Sequence, residues 1–287
     1  MDDVLLELAR GLAALAIQED IGRGDLTGTA LLDDSPARGE LRLKRDGVIC
    51  GLQWLHVVLS RLDPGARVEL HAADGDRLRA GTIVAHVTGA SRALVAGERT
   101  CLNLVQRLSG IATLAARFMD AVEGTRAVIF DTRKTTPGLR AFEKYAVRCG
   151  GAANHRMGLY DEMMIKENHL ALGGLDLPDA IARLRAAHPG VRLTAEAEKL
   201  AQARQAIDSG ADIVLLDDFS LGDIAEVVKY RGPDPAAVKR TQLEVSGGVT
   251  LENVGSYAET GVERISVGAL THSAAALDLS LKVSPAS

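Results

Sequence analysis

The chain opens on a helical pattern of apolar residues. In residues 4–17 apolar side chains recur every three or four positions, and the glycines and polar residues of EDIGRGDLT then interrupt the pattern. From Gly39 to Ala90 the helical pattern gives way to short β-like runs separated by Gly and Asp, namely ELRLKR, GVICGL, RVELH and TIVAHVTG. This succession predicts a helix, a loop and an antiparallel sheet with helical cover.

The longest helical pattern covers residues 93–122. Its apolar side chains repeat every three or four positions, which predicts a long and largely buried helix. Ser109 and Gly110 lie near its middle and are the place where a break is expected if the helix has one.

After Gly124, apolar β-runs alternate with amphipathic segments. Such alternation predicts parallel strands joined by right-handed crossovers. We count six strand units, fewer than the eight of a closed barrel, so an open, incomplete α/β barrel is favoured over a doubly wound sheet. The tail LDLSLKV alternates again and is expected to return to the first sheet. The predicted strands are AVIFD, EMMIK, RLTAEAE, DIVLLD, QLEVSGG and RISVGA.

Composition narrows the class of protein. With 287 residues, 47% hydrophobic and 25% charged, the chain has ample core and is not a disordered protein. Its 33 Lys and Arg against 38 Asp and Glu give a net charge of -5, which argues against a general nucleic-acid or anionic-membrane binder. Neither a basic signal-peptide start nor an uninterrupted apolar span is present, which favours a cytoplasmic location.

The cysteines do not form a recognisable pattern. Cys50, Cys101 and Cys149 are widely spaced, with no CxxC or His-paired zinc motif. This spacing predicts neither a disulfide framework nor a structural zinc site, and we interpret the three residues as buried thiols.

Each predicted strand of the second half ends in polar or glycine-rich residues. In parallel α/β folds, the carboxyl ends of the strands gather on one rim, where reacting groups lie. The ends of the first two predicted strands carry cations, and the ends of the next two strands along the chain carry acids. Arg140, Lys144 and Arg148 follow an i, i+4, i+8 spacing and are interpreted as one solvated helix face. The cations retained as candidates for binding a polyanion are Arg133, Lys134, His155, Arg156 and Lys166.

The acidic strand ends suggest metal or hydroxyl ligands. Glu196 and Asp217 are favoured as the functional pair, since carboxylates hold Mg²⁺ together with substrate phosphates and stabilise a cationic sugar carbon. The alternative is that Glu198 and Asp218 only pair with neighbouring cations. Two glycine motifs, Ser246-Gly247-Gly248 and Ser266-Val267-Gly268, follow the last two strands, where such barrels bind phosphate through bare backbone N–H groups.

Several segments together resemble one known family, quinolinate phosphoribosyltransferase, also called carboxylating nicotinate-nucleotide pyrophosphorylase. The resemblance runs over nearly the whole chain and includes EDIGRGDLT, GERTCLNLVQRLSGIAT, residues 131–169, LLDDFS, LEVSGGVTLENV and ISVGALTHSAAALDLSLK. It implies an N-terminal α/β sandwich, residues 1–107 with the tail 276–287, and an open α/β barrel, residues 108–275. It further implies a homodimer with shared sites, and phosphoribosyl pyrophosphate, quinolinate and Mg²⁺ as reaction components.

The same resemblance assigns roles to individual residues. Arg99, in GERT, would reach into the site from the partner subunit, and with Arg133, His155 and Arg156 it would bind the two carboxylates of quinolinate. Lys134 and Lys166 would face the pyrophosphate and the reacting centre. Glu196 and Asp217 would hold the ribose hydroxyls and the metal, while the glycine motifs would take the 5′-phosphate. The sequence departs from the family pattern at Ala152, where a third glycine is usual, and at Asp218, where Asn is usual.

Besides a related transferase that uses nicotinate, or a barrel relative of the kind found with molybdate transport, two alternatives remain at the level of sequence. Lys166 at a barrel strand end is compatible with a Schiff base, as in class I aldolases. A non-catalytic binding protein is the other alternative, although no predicted ligand is missing.

Overall fold

The computed structural model describes residues 1–232 and 241–286. The strands of these residues are β1 (Pro36–Leu43), β2 (Gly47–Val48), β3 (Arg67–Leu70), β4 (Arg77–Leu78), β5 (Ile83–Ala90), β6 (Val128–Phe130), β7 (Met163–Ile165), β8 (Leu193–Ala197), β9 (Ile213–Asp217), β10 (Gln242–Ser246), β11 (Arg264–Ser266) and β12 (Leu279–Pro285).

The helices of the described residues are α1 (Asp3–Ile21), α2 (Leu26–Leu31), α3 (Gln53–Leu62), α4 (Ser91–Ala121), α5 (Arg140–Cys149), α6 (Glu167–Gly173), α7 (Leu177–Ala187), α8 (Leu200–Asp208), α9 (Leu221–Arg231), α10 (Val254–Glu259) and α11 (Ala269–His272). None of them combines the length and the apolar character that crossing a membrane requires.

The first helix is longer than its sequence pattern predicts. It continues through residues 18–21, and after a short turn the Asp25 carboxylate caps α2 by accepting the backbone N–H groups of Thr27 and Gly28. The segment predicted as a loop is therefore mostly helical, because a capping side chain satisfies the free N–H groups at the start of a new helix.

The chain divides into two compact units. The first comprises Met1–Ala116, Ala141–Gly151 and Ala274–Ser287, and the second comprises Arg117–Arg140 and Ala152–Ser273.

A four-stranded antiparallel sheet forms the first unit's β layer. Its strand order is β12-β1-β5-β3. Leu41, Leu43, Ala85 and Val87 are buried, whereas the residues that alternate with them point the other way. The tail strand β12 pairs antiparallel with β1 from Ala37↔Pro285 to Leu43↔Leu279.

Helix α4 continues without interruption past Ser109 and Gly110. The Ser109 hydroxyl accepts the backbone N–H of Cys50 at 2.9 Å and donates to the Cys50 carbonyl, so its polar group is satisfied inside the core. Gly110 is required by close packing, because a Cβ there would lie 2.0 Å from the Ala275 carbonyl oxygen. Both residues serve packing rather than a helix break.

The interpretation of Arg140, Lys144 and Arg148 as one solvated face of a helix, here α5, is wrong. Lys144 is fully buried, Arg140 is half-buried and hydrogen-bonds Thr135 and the Met157 carbonyl, and only Arg148 is exposed. Regular spacing identifies one side of a helix, but it does not reveal which side packs against the core.

The cysteine prediction needs one correction. Cys50 and Cys101 are buried, as predicted, whereas Cys149 is only half-buried. Cys149 is the last residue of α5, where the side chain is less enclosed than at the helix centre.

The second unit contains a six-stranded parallel sheet in the order β6-β11-β10-β9-β8-β7. Strand β6, the first of these strands along the chain, pairs with β11, the last, as in a barrel. Strands β6 and β7 do not pair with each other in the described residues. The gap leaves an open, incomplete barrel, and the predicted fold class is confirmed. Buried residues such as Val214, Leu216 and Val245 fill its strands.

Candidate active site

The carboxyl ends of the parallel strands surround a cavity of about 300 Å³ in the second unit. Each strand delivers a side chain or a short loop to this rim, which explains why residues far apart in sequence meet there. The cavity is lined by Thr132, Arg133, Lys134, His155, Arg156, Met164, Lys166, Glu196, Leu215, Asp217, Ser246 and Ser266.

One wall of the cavity is cationic. Arg133 and Lys134 follow β6 with exposed side chains, and neither forms an ion pair within the described part of the chain. Arg156 is half-buried and donates to the Glu162 carbonyl at 3.2 Å and to the Met164 sulfur. Burial and the neighbouring charge of Arg133 lower the pKa of Arg156. Three cationic side chains on one wall produce a positive field, which favours an anionic ligand.

A buried polar network positions His155 beside this wall. Its backbone N–H donates to the buried carboxylate of Asp131 at 2.8 Å, and its Nδ1 accepts the N–H of Arg156 at 2.7 Å. The other ring nitrogen, Nε2, lies 3.3 Å from the fully buried Glu244 carboxylate. The ring is thus fixed from both sides.

Glu244 connects the network to the last strand of the sheet. Arg264 Nε donates to it at 2.5 Å, and the hydroxyl of Ser266 donates to its other oxygen. Burial raises the pKa of Glu244, but the hydrogen bond from His155, the charge of Arg264 and the hydrogen bond from Ser266 outweigh burial and lower it to about 2. Glu244 is therefore a buried anion that holds two cavity residues in place.

Another part of the cavity lining, which we call the acidic wall, carries carboxylates. Glu196 at the end of β8 accepts a hydrogen bond from the ammonium of Lys166, and the half-buried Asp217 ends β9. The pKa of the exposed Glu198 is raised, first by the charge of Glu167 and also by Glu196 and Asp217. The charges of Glu167, Glu196, Glu198 and Asp217 therefore act on one another along this edge, where Lys166 is ion-paired with Glu196.

The glycine motif after β10 has a steric cause of its own. Gly247 has φ +92°, and a Cβ there would lie 2.0 Å from the Asp218 carboxylate. Asp218 has φ +55° and is the only non-glycine residue among those described with positive φ. Asp and Asn tolerate this left-handed conformation better than other side chains, so Asp218 suits the turn. Ala152 has no positive φ, and the departure there requires no unusual backbone.

Family comparisons cover both units. Residues 111–282 match the C-terminal domain model of quinolinate phosphoribosyl transferase, and residues 25–109 match the N-terminal domain model. The chain belongs to the quinolinate phosphoribosyltransferase family.

Individual relatives agree with the family models. The chain is 42% identical to the probable carboxylating nicotinate-nucleotide pyrophosphorylase of Bacillus subtilis, over 92% of this chain and 90% of the relative. It is 41% identical to the carboxylating nicotinate-nucleotide pyrophosphorylase of Mycobacterium leprae, over 98% and 99% respectively. The crystal structure of NadC from Streptococcus pyogenes is 35% identical and superposes with a TM-score of 0.91, covering 100% of this chain and 99% of that one.

Most residues that the sequence selects lie on the cavity of this quinolinate phosphoribosyltransferase fold. Five others do not line it. Arg99 is exposed on α4 of the first unit, and Gly268 precedes α11, where a Cβ would lie 3.1 Å from Cδ of Lys134. The remaining three are Gly247, Gly248 and the buried Val267.

Sequence reasoning missed the buried acids that support the cavity. Glu162 accepts a hydrogen bond from Thr194 at 2.9 Å, and Glu244 anchors His155 and Ser266. A signal existed for Glu244, because an acidic residue inside the apolar run QLEVS is costly to bury without partners.

The Schiff-base aldolase alternative is not supported. The family is that of phosphoribosyltransferases. A Schiff base also needs a free neutral amine, whereas the Lys166 ammonium is ion-paired with Glu196.

Proposed function

We propose that the protein transfers the phosphoribosyl group of phosphoribosyl pyrophosphate to quinolinate, giving nicotinate mononucleotide, pyrophosphate and carbon dioxide in NAD biosynthesis. One observation carries this proposal: a single cavity is lined by a cationic wall, whose Arg133, Lys134 and Arg156 form no ion pair within the described part of the chain, and by an acidic wall with Glu196 and Asp217. The reaction joins a dianionic acid to a sugar that becomes cationic, and each wall suits one of these two partners.

Quinolinate fits the cationic wall. The planar guanidinium groups of Arg133 and Arg156 match carboxylates in shape and charge, and the buried network holds the His155 ring beside them. Arg156 is itself fixed by its bond to the Glu162 carbonyl, so little side-chain freedom is lost when the ligand binds.

The phosphoribosyl group fits the remaining residues. Glu196 and Asp217 offer carboxylate oxygens to the ribose hydroxyls, and Lys134 and Lys166 offer ammonium groups to the pyrophosphate. The 5′-phosphate would bind near the Ser246-Gly247-Gly248 and Ser266-Val267-Gly268 turns, where backbone N–H groups and serine hydroxyls are available.

The chemistry requires positioning rather than a nucleophilic side chain. As the sugar C1–O bond breaks, its electron pair leaves with pyrophosphate, and the ring nitrogen of quinolinate forms the new bond to C1. Glu196 and Asp217 would stabilise the positive charge that develops on the sugar. The ring nitrogen is then cationic and stabilises the electron pair that stays on the adjacent ring carbon when its carboxylate leaves as carbon dioxide. A proton from solvent then forms the C–H bond at that carbon, so no general base is needed.

Mg²⁺ belongs to this proposal because the acidic wall supplies the oxygen ligands that it prefers. Glu196 and Asp217 would hold it, and the bound ion would neutralise charge on the pyrophosphate that leaves. Cytoplasmic location also remains a proposal, with which the three free thiols agree.

A homodimer completes the proposal. Arg99 is exposed on the first unit and does not line the cavity, and its position in GERT resembles the family residue that enters the partner's site. We therefore assign to Arg99 the role of a quinolinate ligand supplied across subunits.

The decisive experiment is an assay of the purified protein with quinolinate, phosphoribosyl pyrophosphate and Mg²⁺, following nicotinate mononucleotide by chromatography and labelled carbon dioxide by trapping. We expect the two products in equal amounts. Nicotinate as the acceptor should give no carbon dioxide and much less nucleotide. Equal turnover of nicotinate, or no turnover of quinolinate, would overturn the proposal.

A further inference from the structure

A second group of ligand-bearing side chains lies in the first unit and shares no residue with the cavity. His86 on β5 pairs in register with Glu40 of β1 on one side and with Glu69 of β3 on the other. His71 follows Glu69 by two positions, so strand alternation places it on the same face. We call these four residues, Glu40, Glu69, His71 and His86, the histidine cluster.

The cluster has the spacing of a metal site. His71 Nε2 lies 2.7 Å from His86 Nδ1, and one ligand atom from each of Glu69, His71 and His86 lies within 4.8 Å of the others. Zn²⁺ with bonds of about 2.0–2.1 Å places neighbouring ligands about 3.4 Å apart. Small side-chain rotations from the observed positions achieve that separation, because the side chains of His71 and Glu69 are at least partly open to solvent.

A second observation comes from the far side of the His86 ring. Glu40 Oε1 lies 3.6 Å from His86 Nε2, the nitrogen that does not face His71. Metal-binding histidines commonly donate the second ring N–H to a carboxylate, which fixes the ring and makes the other nitrogen a better ligand. A shift of a few tenths of an ångström would bring Glu40 within hydrogen-bond distance of His86.

We propose that the histidine cluster binds a divalent transition-metal ion of the zinc type through His71 Nε2, His86 Nδ1 and the Glu69 carboxylate, with Glu40 orienting His86. Two imidazoles and one carboxylate suit Zn²⁺, whereas Mg²⁺ prefers oxygen ligands only. The site is therefore chemically distinct from the acidic wall of the cavity.

The bound ion would join two strands. Strand β3 lies at the edge of the sheet and pairs only with β5 among the described strands. A metal bridging His71 and Glu69 to His86 would fasten this edge, and because it binds only the folded sheet, it would raise the melting temperature of the protein.

The test is a Zn²⁺ titration of the full-length, tag-free protein by calorimetry after treatment with a chelator. We expect one Zn²⁺ per chain at this site, at least tenfold weaker binding in His86→Gln and in His71→Gln, and unchanged binding in His56→Gln. His56 is the matched control because it is an exposed histidine on α3 of the same unit. Zn²⁺ should raise the melting temperature of wild type and His56→Gln only.

Two further measurements support the interpretation. Co²⁺ should give visible absorption bands in wild type that disappear in the two cluster variants. Circular dichroism checks that each variant folds. If His86→Gln does not fold, the result for His71→Gln decides, because the side chain of His71 is more exposed than that of His86. Zn²⁺ binding that survives both substitutions, or that is lost only in Glu196→Gln of the cavity, would overturn the proposal.

Discussion

Arg133 and Arg156 line the cavity, and neither forms an ion pair within the described part of the chain. Each Arg→Ala substitution removes charge-assisted hydrogen bonds worth about 1.5–3 kcal/mol, so we expect quinolinate affinity to fall about tenfold to a hundredfold. Isothermal titration with quinolinate measures this loss. For the exposed Arg133 the free energy of unfolding should change by less than about 0.5 kcal/mol.

Arg183→Ala is the matched control for these two arginines. Arg183 is exposed on α7 and does not line the cavity, so its removal should leave quinolinate binding unchanged. Retained affinity in both Arg133→Ala and Arg156→Ala would show that the carboxylates of the substrate bind elsewhere.

Glu244 has a role in stability that depends on pH. Glu244→Gln leaves the buried guanidinium of Arg264 without its charge partner, which should cost about 3–5 kcal/mol at neutral pH. Because the folded pKa of Glu244 is lowered to about 2, the stabilisation is fully present above the ordinary glutamate pKa and is lost as pH falls toward 2. Urea unfolding at several pH values measures the difference between wild type and variant.

The difference in free energy of unfolding between wild type and Glu244→Gln should become steadily smaller as the pH falls below the ordinary glutamate pKa. Glu226→Gln is the control, since Glu226 forms an exposed ion pair with Arg204 at 3.3 Å and its loss should cost less than about 1 kcal/mol at any pH. If the free energies of unfolding of wild type and Glu244→Gln differ by the same amount at every pH, the assignment of Glu244 as a buried anion is contradicted.

At the scale of single elements, helix α4 shows why one glycine is needed in a continuous helix. Gly110→Ala places a methyl group against the Ala275 carbonyl and should destabilise the protein by about 1–3 kcal/mol, despite the better helix propensity of alanine. Gly11→Ala is the control, because a Cβ at Gly11 meets no atom within 4 Å and should stabilise α1 by about 0.5–1 kcal/mol. Thermal or urea unfolding of both variants provides the comparison, and equal stabilisation by both would refute the packing argument.

The elements that could be predicted from sequence are those that the local pattern of apolar residues determines without help from distant contacts. The six parallel strands are short apolar runs, and their polar ends mark the rim correctly, since both features follow from local pattern. The environment of Lys144 could not be predicted, because its burial depends on the core that α5 meets. The need for glycine at position 110 of α4 likewise depends on residue 275, far away in sequence.

Across the whole molecule, the proposed exchange of Arg99 between subunits makes a quantitative prediction. Arg99→Ala and Arg133→Ala should each be nearly inactive alone. After denaturation and refolding as a 1:1 mixture, half of the dimers are mixed and each has one intact site, so about a quarter of wild-type activity should return. Recovery is measured with the quinolinate assay, after light scattering has established the dimer.

The control for the mixture is a refolded sample of each variant alone. If Arg99 acts within its own chain, the mixture should be no more active than these two samples. The test thus separates a shared site from one completed inside each subunit.

The pairing of β12 with β1 has a consequence for how the protein is made. These strands join residues 37–43 to residues 279–285, and the whole second unit is encoded between them. During synthesis, β1 therefore leaves the ribosome long before β12 has been made. The edge of β1 that pairs with β12 stays unpaired while the barrel residues are synthesised. The barrel segment can fold while that edge is still open, so the unit that begins the chain is the one that finishes last.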